Sequence, residues 1–384
     1  MRIINKFFLK TLVRQKRRRD WDVPVPLERF APSEVERILV VSSTAIGDAL
    51  FAVPGIRALR ELVPSARLDL LLRDKVTDLF CNFALADEII SYRGRYKNAV
   101  ALFRKFRGKK YHVCMVFHDS DPCPVEAAFA AGIPFIFRIG QKDQKVHHLL
   151  SARIPYDEKK HAIDQRLEVI RRVFHVSLSG ESCLRMDLPV HEKKVANFRK
   201  SLLRSSMRKG KETVNGVLVG FQFSASGKYK EWPVENFIDL GARLLDLKDS
   251  CNIVLIGGPG DAARGEKIKD AIEKKGGKGR VINLSGKVAL KDLPAAIKAL
   301  DVLVTNDTGP LHVAIAVGTK TVSLFVPTNV EGTGPVQDLH LHKVVSKPKP
   351  CKPCVEKYCK RPDCMGLITT SEVERAVTEA LKSF

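Results

Sequence analysis

The sequence predicts an α/β protein built of two Rossmann-like, doubly wound parallel-sheet halves. Three observations carry this expectation. Short apolar runs alternate with helical stretches along most of the chain, an order that gives parallel strands with helices on both faces. The alternation stops in a polar, basic segment at about Lys200–Asn215 and then restarts. The 384 residues, 45% hydrophobic and 28% charged, suit two or three globular domains and exclude a disordered or collagen-like chain.

The elements follow in order. Residues 1–35 are expected to be a basic extension and linker, with Pro24, Pro26 and Pro32 marking the linker. If residues 1–19 are helical, Ile3, Ile4, Phe7, Phe8 and Leu12 share one face. Arg2, Lys6, Lys10 and Arg14 follow one another on a second face, and Lys16 to Arg19 add a further cluster. That is the pattern of a helix in an anionic membrane interface, broken by Leu9 and Val13 among the basic residues. A solvated arm is the plainer alternative, and a nucleic-acid-binding arm is a third.

The first half, 36–205, opens with an apolar strand at Arg37–Ser43, a turn at Thr44–Gly47 and a helix from Asp48. Strands are expected again at Arg67–Leu72, His112–Phe117 and Pro134–Ile139. The second half, 214–345, repeats the scheme, with strands at Gly216–Phe221, Asn252–Ile256, Arg280–Leu284, Asp301–Thr305 and Lys320–Phe325. Residues 346–384 hold a cysteine-rich loop and a last helix, Ser371–Leu381, with Ser371 as its cap and Glu374 at the capping-box position. In open sheets of this kind ligands sit beyond the carboxyl ends of the strands, and a cleft between two facing domains is the default site.

Charge and composition narrow the partners. Lys plus Arg number 65 against 43 acids, a net charge of +22. Such a surface favours anionic partners: nucleic acid, acidic lipid or a phosphorylated substrate. No helix-turn-helix and no aromatic-rich RNA motif is present, so nucleic acid is not expected as a partner. The longest uncharged apolar stretch, Ala127–Phe137, is well short of the roughly 18–20 residues of a membrane span. No secretory signal is evident, and five scattered cysteines read as buried thiols in a reducing cytosol.

Four strand-end motifs carry chemistry. Ser42 to Asp48 places an acid at a helix start, where the N-terminal partial charge favours the carboxylate. Ionised, Asp48 can accept a proton from an attacking hydroxyl. Read alone, it is a plain helix cap. Phe223 to Pro233 supplies Ser224, Ser226, Gly227, Lys228 and Lys230 at a strand-to-helix turn, the parts of a phosphate cradle. The bland reading is a solvated basic loop. Thr305 to His312 opens a helix at Thr308 and Gly309, whose backbone N–H groups can meet a diphosphate. There Asp307 read alone is a cap, and His312 a packed polar residue rather than a catalyst. Gly257-Gly-Pro-Gly260 is a tight turn at the same end of the sheet, weak by itself.

Together and in this order the motifs resemble the bacterial lipopolysaccharide heptosyltransferases, the ADP-heptose-using glycosyltransferase family 9. The resemblance spans about Arg37 to Pro335. It rests on Ile38-Leu-Val-Val-Ser-Ser-Thr-Ala-Ile-Gly-Asp48 and its continuation to Leu59, Lys230-Glu-Trp-Pro233, Ile256-Gly-Gly-Pro-Gly260, Ser285-Gly-Lys287, Asn306-Asp-Thr-Gly-Pro-Leu-His312, and Leu324-Phe-Val-Pro-Thr328 with Thr333-Gly-Pro335. It implies a GT-B fold, with two Rossmann-like domains facing a cleft. It implies inverting transfer of a heptose from ADP-heptose to the lipid-linked, anionic inner core of lipopolysaccharide. By motif, Asp48 would be the general base. Lys230 with Ser224 or Ser226 would hold the diphosphate, Thr308 and Gly309 would offer N–H groups to it, and Asp307 would contact the donor sugar. No cofactor is required on this reading. The expected place is cytoplasmic, peripheral on the inner face of the cytoplasmic membrane, with residues 1–19 on the anionic surface. The alternatives are a GT-B enzyme with another sugar nucleotide and glycolipid, or a non-catalytic sugar-nucleotide or anionic-lipid binding protein.

Cys351, Cys354, Cys359 and Cys364 form a separate feature. Four thiolates in one loop suit a structural Zn²⁺, and neighbouring Lys352, Lys357, Lys360 and Arg361 would lower the thiol pKa values. Disulfides or free thiols are the alternatives.

Overall fold

The structure is a computed structural model. It describes residues 2–382 except 20–22, 119–120, 141–145, 206–215, 248–249, 353, 356–357 and 361–362. The chain forms two compact units, Met1–Met186 and Asp187–Phe384. Each contains a six-stranded sheet in which every neighbouring pair is parallel.

The first sheet comprises β1 (Arg37–Ser42), β2 (Arg67–Arg73), β3 (Glu88–Tyr92), β4 (Val113–His118), β5 (Phe135–Ile139) and β6 (Ala152–Ile154). Its spatial order is β3-β2-β1-β4-β5-β6. The second comprises β7 (Val217–Gln222), β8 (Cys251–Ile256), β9 (Val281–Asn283), β10 (Val302–Asn306), β11 (Thr321–Phe325) and β12 (His342–Ser346), in the order β12-β11-β10-β7-β8-β9. Both orders reverse direction beside the first strand of their unit, the switch point at which open parallel sheets bind ligands. β1 and β10 carry apolar runs, Ile38–Val41 and Val302–Val304, and are buried along their length after the first residue of β1, as strands covered by helices on both faces must be.

Three expected boundaries move. The polar segment assigned to the inter-domain linker, about 200–215, begins inside a helix, Glu192–Ser205, and the rest of it, residues 206–215, lies outside the described residues. That helix belongs to the second unit. Lys194 Nζ reaches Asp292 at 2.6 Å, and Arg199 pairs with Asp301 at 3.2 Å while donating to the Ala299 and Gly216 carbonyls. The division between units therefore precedes it, at Met186. The C-terminal helix, Thr370–Lys382, belongs to the core of the second unit. Its Val373 and Val377 share a buried cluster with Phe221, Trp232 and Val304. It starts earlier than the sequence suggests, because the reciprocal cap is Thr369 with Glu372: the Thr369 N–H and hydroxyl donate to Glu372 Oε2, and the Glu372 N–H donates to Thr369 Oγ1. Ser371, the expected cap, instead accepts from Arg243 at 3.1 Å.

The N-terminal extension contains an 18-residue helix, Arg2–Arg19. Leu9 and Val13, which interrupt the basic row in the sequence, are the residues it buries against the first unit.

Candidate functional site

In the first unit, β1 ends at Ser42 and a short helix, Ile46–Phe51, opens from an extended Ala45. Asp48 is its third residue, so it is not the cap. Ser42 Oγ donates to the Asp48 carbonyl at 3.1 Å and fixes the turn. Thr44 Oγ1 donates to Asp48 Oδ2 at 2.6 Å. Two groups from elsewhere meet the other oxygen. Arg166, on the helix Ala162–Phe174, lies 3.1 Å from Oδ1, and His118 Nε2, at the end of β4, lies 3.6 Å from it. The Asp48 side chain keeps 26% of its surface exposed, whereas Arg166 keeps 4%.

Burial alone would push the Asp48 pKa up. The His118 and Arg166 charges and the Thr44 hydroxyl outweigh it and hold the carboxyl below its ordinary value. Burial holds the His118 imidazole below its ordinary value, with Arg166 and Arg138 adding to the effect against the pull of Asp48. The result is an ionised carboxylate, oriented from three sides and still reachable. Arg166 is itself fixed: its guanidinium packs over the Phe51 ring at 5.5 Å. Neither Arg166 nor His118 is among the expected site residues. His118 carried a signal, as a polar residue closing an apolar strand; Arg166 carried none, being one of several arginines on an amphipathic helix.

In the second unit the remaining three motifs converge at the carboxyl ends of β7, β8 and β10. β7 ends at Gln222, and the loop beyond it leads to Trp232. Trp232 is fully buried, its Nε1 donates to the Ile368 carbonyl at 2.9 Å, and its backbone N–H donates to Asn306 Oδ1 at 2.9 Å. Asn306 Nδ2 in turn donates to the Gln222 carbonyl at 3.3 Å. Asn306 thus ties the lysine loop to the Asp307 turn, a positioning role the sequence reading did not assign.

Lys230 Nζ pairs with Asp307 Oδ2 at 3.0 Å, both largely buried. His312 Nε2 lies 3.8 Å from the other Asp307 oxygen. Thr308 caps the helix Gly309–Ala316 in extended conformation, and Pro310 in its first turn has no N–H, which leaves Thr308 and Gly309 as the donors at that end. Ser224 donates to Asp261 Oδ2 at 2.7 Å and accepts from Gln222 at 3.0 Å. Ser226 is exposed, so of the two serines only it presents a hydroxyl outward. The Gly257-Gly258 turn is drawn into the same site, since the Gly258 N–H donates to the Asp261 carboxylate at 2.8 Å. Gly257 is required there: a Cβ would stand 2.8 Å from the Asp261 side chain and 3.0 Å from Ser285 Oγ. Among the described residues Ser285 Oγ and Gln222 Oε1 are buried without a hydrogen-bond partner, so these strand ends hold polar capacity left open to a ligand.

The cysteine loop is a separate feature of the second unit. Cys351, Cys354, Cys359 and Cys364 are free thiols, and among the described residues no three His, Cys, Asp or Glu side chains are grouped to hold a metal ion. Burial against the second core, with Cys354 and Cys359 nearby, raises the Cys364 pKa rather than lowering it. Lys357 and Arg361 lie outside the described residues.

The comparisons with known proteins agree with this picture. The sequence profile described as "Glycosyltransferase family 9 (heptosyltransferase)" matches residues 99–364. A "Lipooligosaccharide heptosyltransferase 2" of Campylobacter jejuni subsp. jejuni serotype O:2 is 27% identical over 354 residues, covering 90% of this chain and 99% of that protein. A "Lipopolysaccharide heptosyltransferase 2" of Salmonella typhimurium is 26% identical over 78% of this chain and 85% of its own length. Among solved structures, the Escherichia coli ADP-heptose lps heptosyltransferase II superposes with a TM-score of 0.72 at 20% identity, covering 90% of this chain and 98% of that one. A family 9 glycosyl transferase from Veillonella parvula does so with the same TM-score at 21% identity, over 91% and 98%. These two likenesses show the GT-B-like fold.

Proposed function

We propose that this chain, which belongs to glycosyltransferase family 9 (heptosyltransferase), transfers a heptose from ADP-heptose to the inner core of lipopolysaccharide with inversion at the anomeric carbon. The observation that carries the reading is the state of Asp48: ionised, held by Thr44, Arg166 and His118, and partly open. A carboxylate so placed takes the proton of an acceptor hydroxyl as that oxygen attacks the anomeric carbon from the face opposite the nucleotide.

The diphosphate leaves from the second unit's strand ends. Lys230 supplies the positive charge and Thr308 and Gly309 supply N–H groups, so the negative charge that develops on ADP is met by groups already in place. Asp307 orients Lys230 in the free enzyme and contacts the donor sugar once the lysine turns to phosphate. Ser226 offers the hydroxyl of the loop, while Ser224, engaged with Asp261, shapes it. With the leaving group neutralised this way the reaction needs no second carboxyl acid and no cofactor.

The acceptor on this reading is a phosphorylated, acidic saccharide on a lipid, which gives the +22 charge a use. The enzyme works at the inner face of the cytoplasmic membrane. Among the described residues no helix is long and apolar enough to cross a membrane. The cysteine loop stands outside the reaction. Metal analysis of purified protein with Cys354→Ser as control tests the structural-zinc expectation: stoichiometric zinc lost in the variant supports it, and a folded, metal-free sample ends it.

The test of function is direct. Purified protein is incubated with ADP-heptose, a panel of other nucleotide sugars and truncated lipopolysaccharide acceptors, and the product's anomeric configuration is read by NMR. Inverted heptosyl transfer selective for ADP-heptose is expected. Transfer only from another nucleotide sugar, or donor binding without transfer to any acceptor, overturns the reading.

A further inference from the structure

The helix Arg2–Arg19 contains eight Lys and Arg residues and no acid. It is not a loose arm. Leu9 is wholly buried and Val13 nearly so, in one cluster with Leu102, Phe106 and Phe129. Asn5 Nδ2 donates to the Tyr96 and Lys97 carbonyls at 3.1 and 3.0 Å, the Lys6 ammonium sits over the Tyr96 ring at 5.7 Å, and Phe8 meets Phe103 edge to face at 6.2 Å. The side turned from this seat is therefore a fixed surface.

That surface is segregated along the helix rather than around it. Ile3, Ile4 and Phe7, in the first two turns, are 82%, 70% and 72% exposed. Lys10, Arg14, Arg17 and Arg18 follow, all exposed. The neighbouring helix Ala99–Lys109, whose Phe103 meets Phe8, adds exposed Arg104 and Arg107. Three large apolar side chains held out in water beside such a concentration of cations are costly in a free protein and favourable in one environment, the boundary between anionic headgroups and acyl chains.

We infer that the N-terminal helix is a rigid interfacial anchor for a bilayer of anionic lipid, with Ile3, Ile4 and Phe7 entering the acyl boundary and Lys10, Arg14, Arg17 and Arg18 meeting lipid phosphates. The inference deepens the membrane side of the proposed function and rests on it for its purpose. The surface itself stands on the helix's own residues and is tested without the transfer reaction. It also replaces the expected division into one apolar and one basic face. Leu12 and Phe8 turn partly toward the fold, and the membrane-facing part is the N-terminal end.

The full chain is centrifuged with vesicles of phosphatidylcholine alone and with about one-third phosphatidylglycerol, over a series of salt concentrations. The wild type is expected to bind the anionic vesicles, to bind the neutral ones at least tenfold more weakly, and to lose binding as salt rises. The triple variant Ile3→Ser, Ile4→Ser, Phe7→Ser is expected to lose at least tenfold in vesicle binding. It should keep its melting temperature and its transfer rate on a soluble, delipidated acceptor, since none of the three is packed in the core. Arg14→Glu with Arg18→Glu is expected to abolish the preference for anionic vesicles. Unchanged vesicle binding in the triple variant overturns the anchor. So does a wild type that ignores vesicles but binds DNA, or one that self-associates through these residues. Loss of transfer with vesicle binding intact would instead count against the proposed function alone.

Discussion

The two units present their chemistry in opposite ways. In the first, a single carboxylate is clamped by groups from distant parts of the chain: Arg166 stands 118 positions from Asp48 and bonds it at 3.1 Å. In the second, the functional groups come from neighbouring strand ends, and Lys230 with Asp307 is the ion pair that joins the lysine loop to the turn after β10. A base must be held in one charge state and one direction, which takes partners that do not move. An anion site must release its own pairing when the ligand arrives, which takes a lysine on a loop and backbone donors at a helix start. On the proposed function, the chemical step falls to the first unit and donor binding to the second.

The largest effect that can break this division is on rate. Asp48→Asn keeps the shape and removes the base, and a loss of about a thousandfold in transfer is expected, measured by ADP release under saturating donor. Next is Lys230→Met. It deletes the ammonium while keeping the apolar stem, and ADP is expected to bind roughly ten- to a hundredfold more weakly by calorimetry. Should transfer fall while ADP affinity holds, the lysine would belong with the chemical step and the division would fail.

Arg166→Met sharpens the first site through its pH dependence. The Asp48 pKa lies below the ordinary aspartate value in the folded protein. Its stabilising contribution is thus present above the unfolded-state pKa and lost as pH falls through the lower folded one. The acid limb of kcat/KM should accordingly lie below the ordinary aspartate range. In Arg166→Met the depression weakens, and the limb moves to higher pH. An unmoved limb would show that Arg166 acts only as packing. The smallest effect lies away from both sites: Thr369→Ala removes the reciprocal cap of the last helix and should cost about 1 kcal/mol, seen as a fall of roughly 2–4 °C in Tm.

The same contrast explains what could be read from the sequence. The central strands were legible because strands buried on both faces are continuous apolar runs, as in Ile38–Val41 and Ile253–Ile256. β3, β6 and β12 were not. Glu88–Tyr92 and His342–Ser346 carry polar residues at sheet edges, and Ala152–Ile154 has only three residues. Lys230, Asp307, Thr308 and Gly309 were legible as candidates because they lie in the turns that follow apolar strand runs, although the meeting of Lys230 with Asp307 is made by the pairing of β7 with β10. Arg166 was not, being one of several arginines on an amphipathic helix, and His118 showed only as a polar residue closing an apolar strand. The first helix shows the same limit. Its composition suggested a basic helix with an apolar side, but the role of Leu9 and Val13 as its attachment became visible only with Leu102, Phe106 and Phe129 beneath them.

The division of labour is tested most directly by titrating ADP into Asp48→Asn. If the first unit supplies the base and the second holds the nucleotide, Kd stays within about twofold of the wild type while transfer is lost. A variant whose ADP affinity collapses together with its rate would place Asp48 in donor binding and contradict the account.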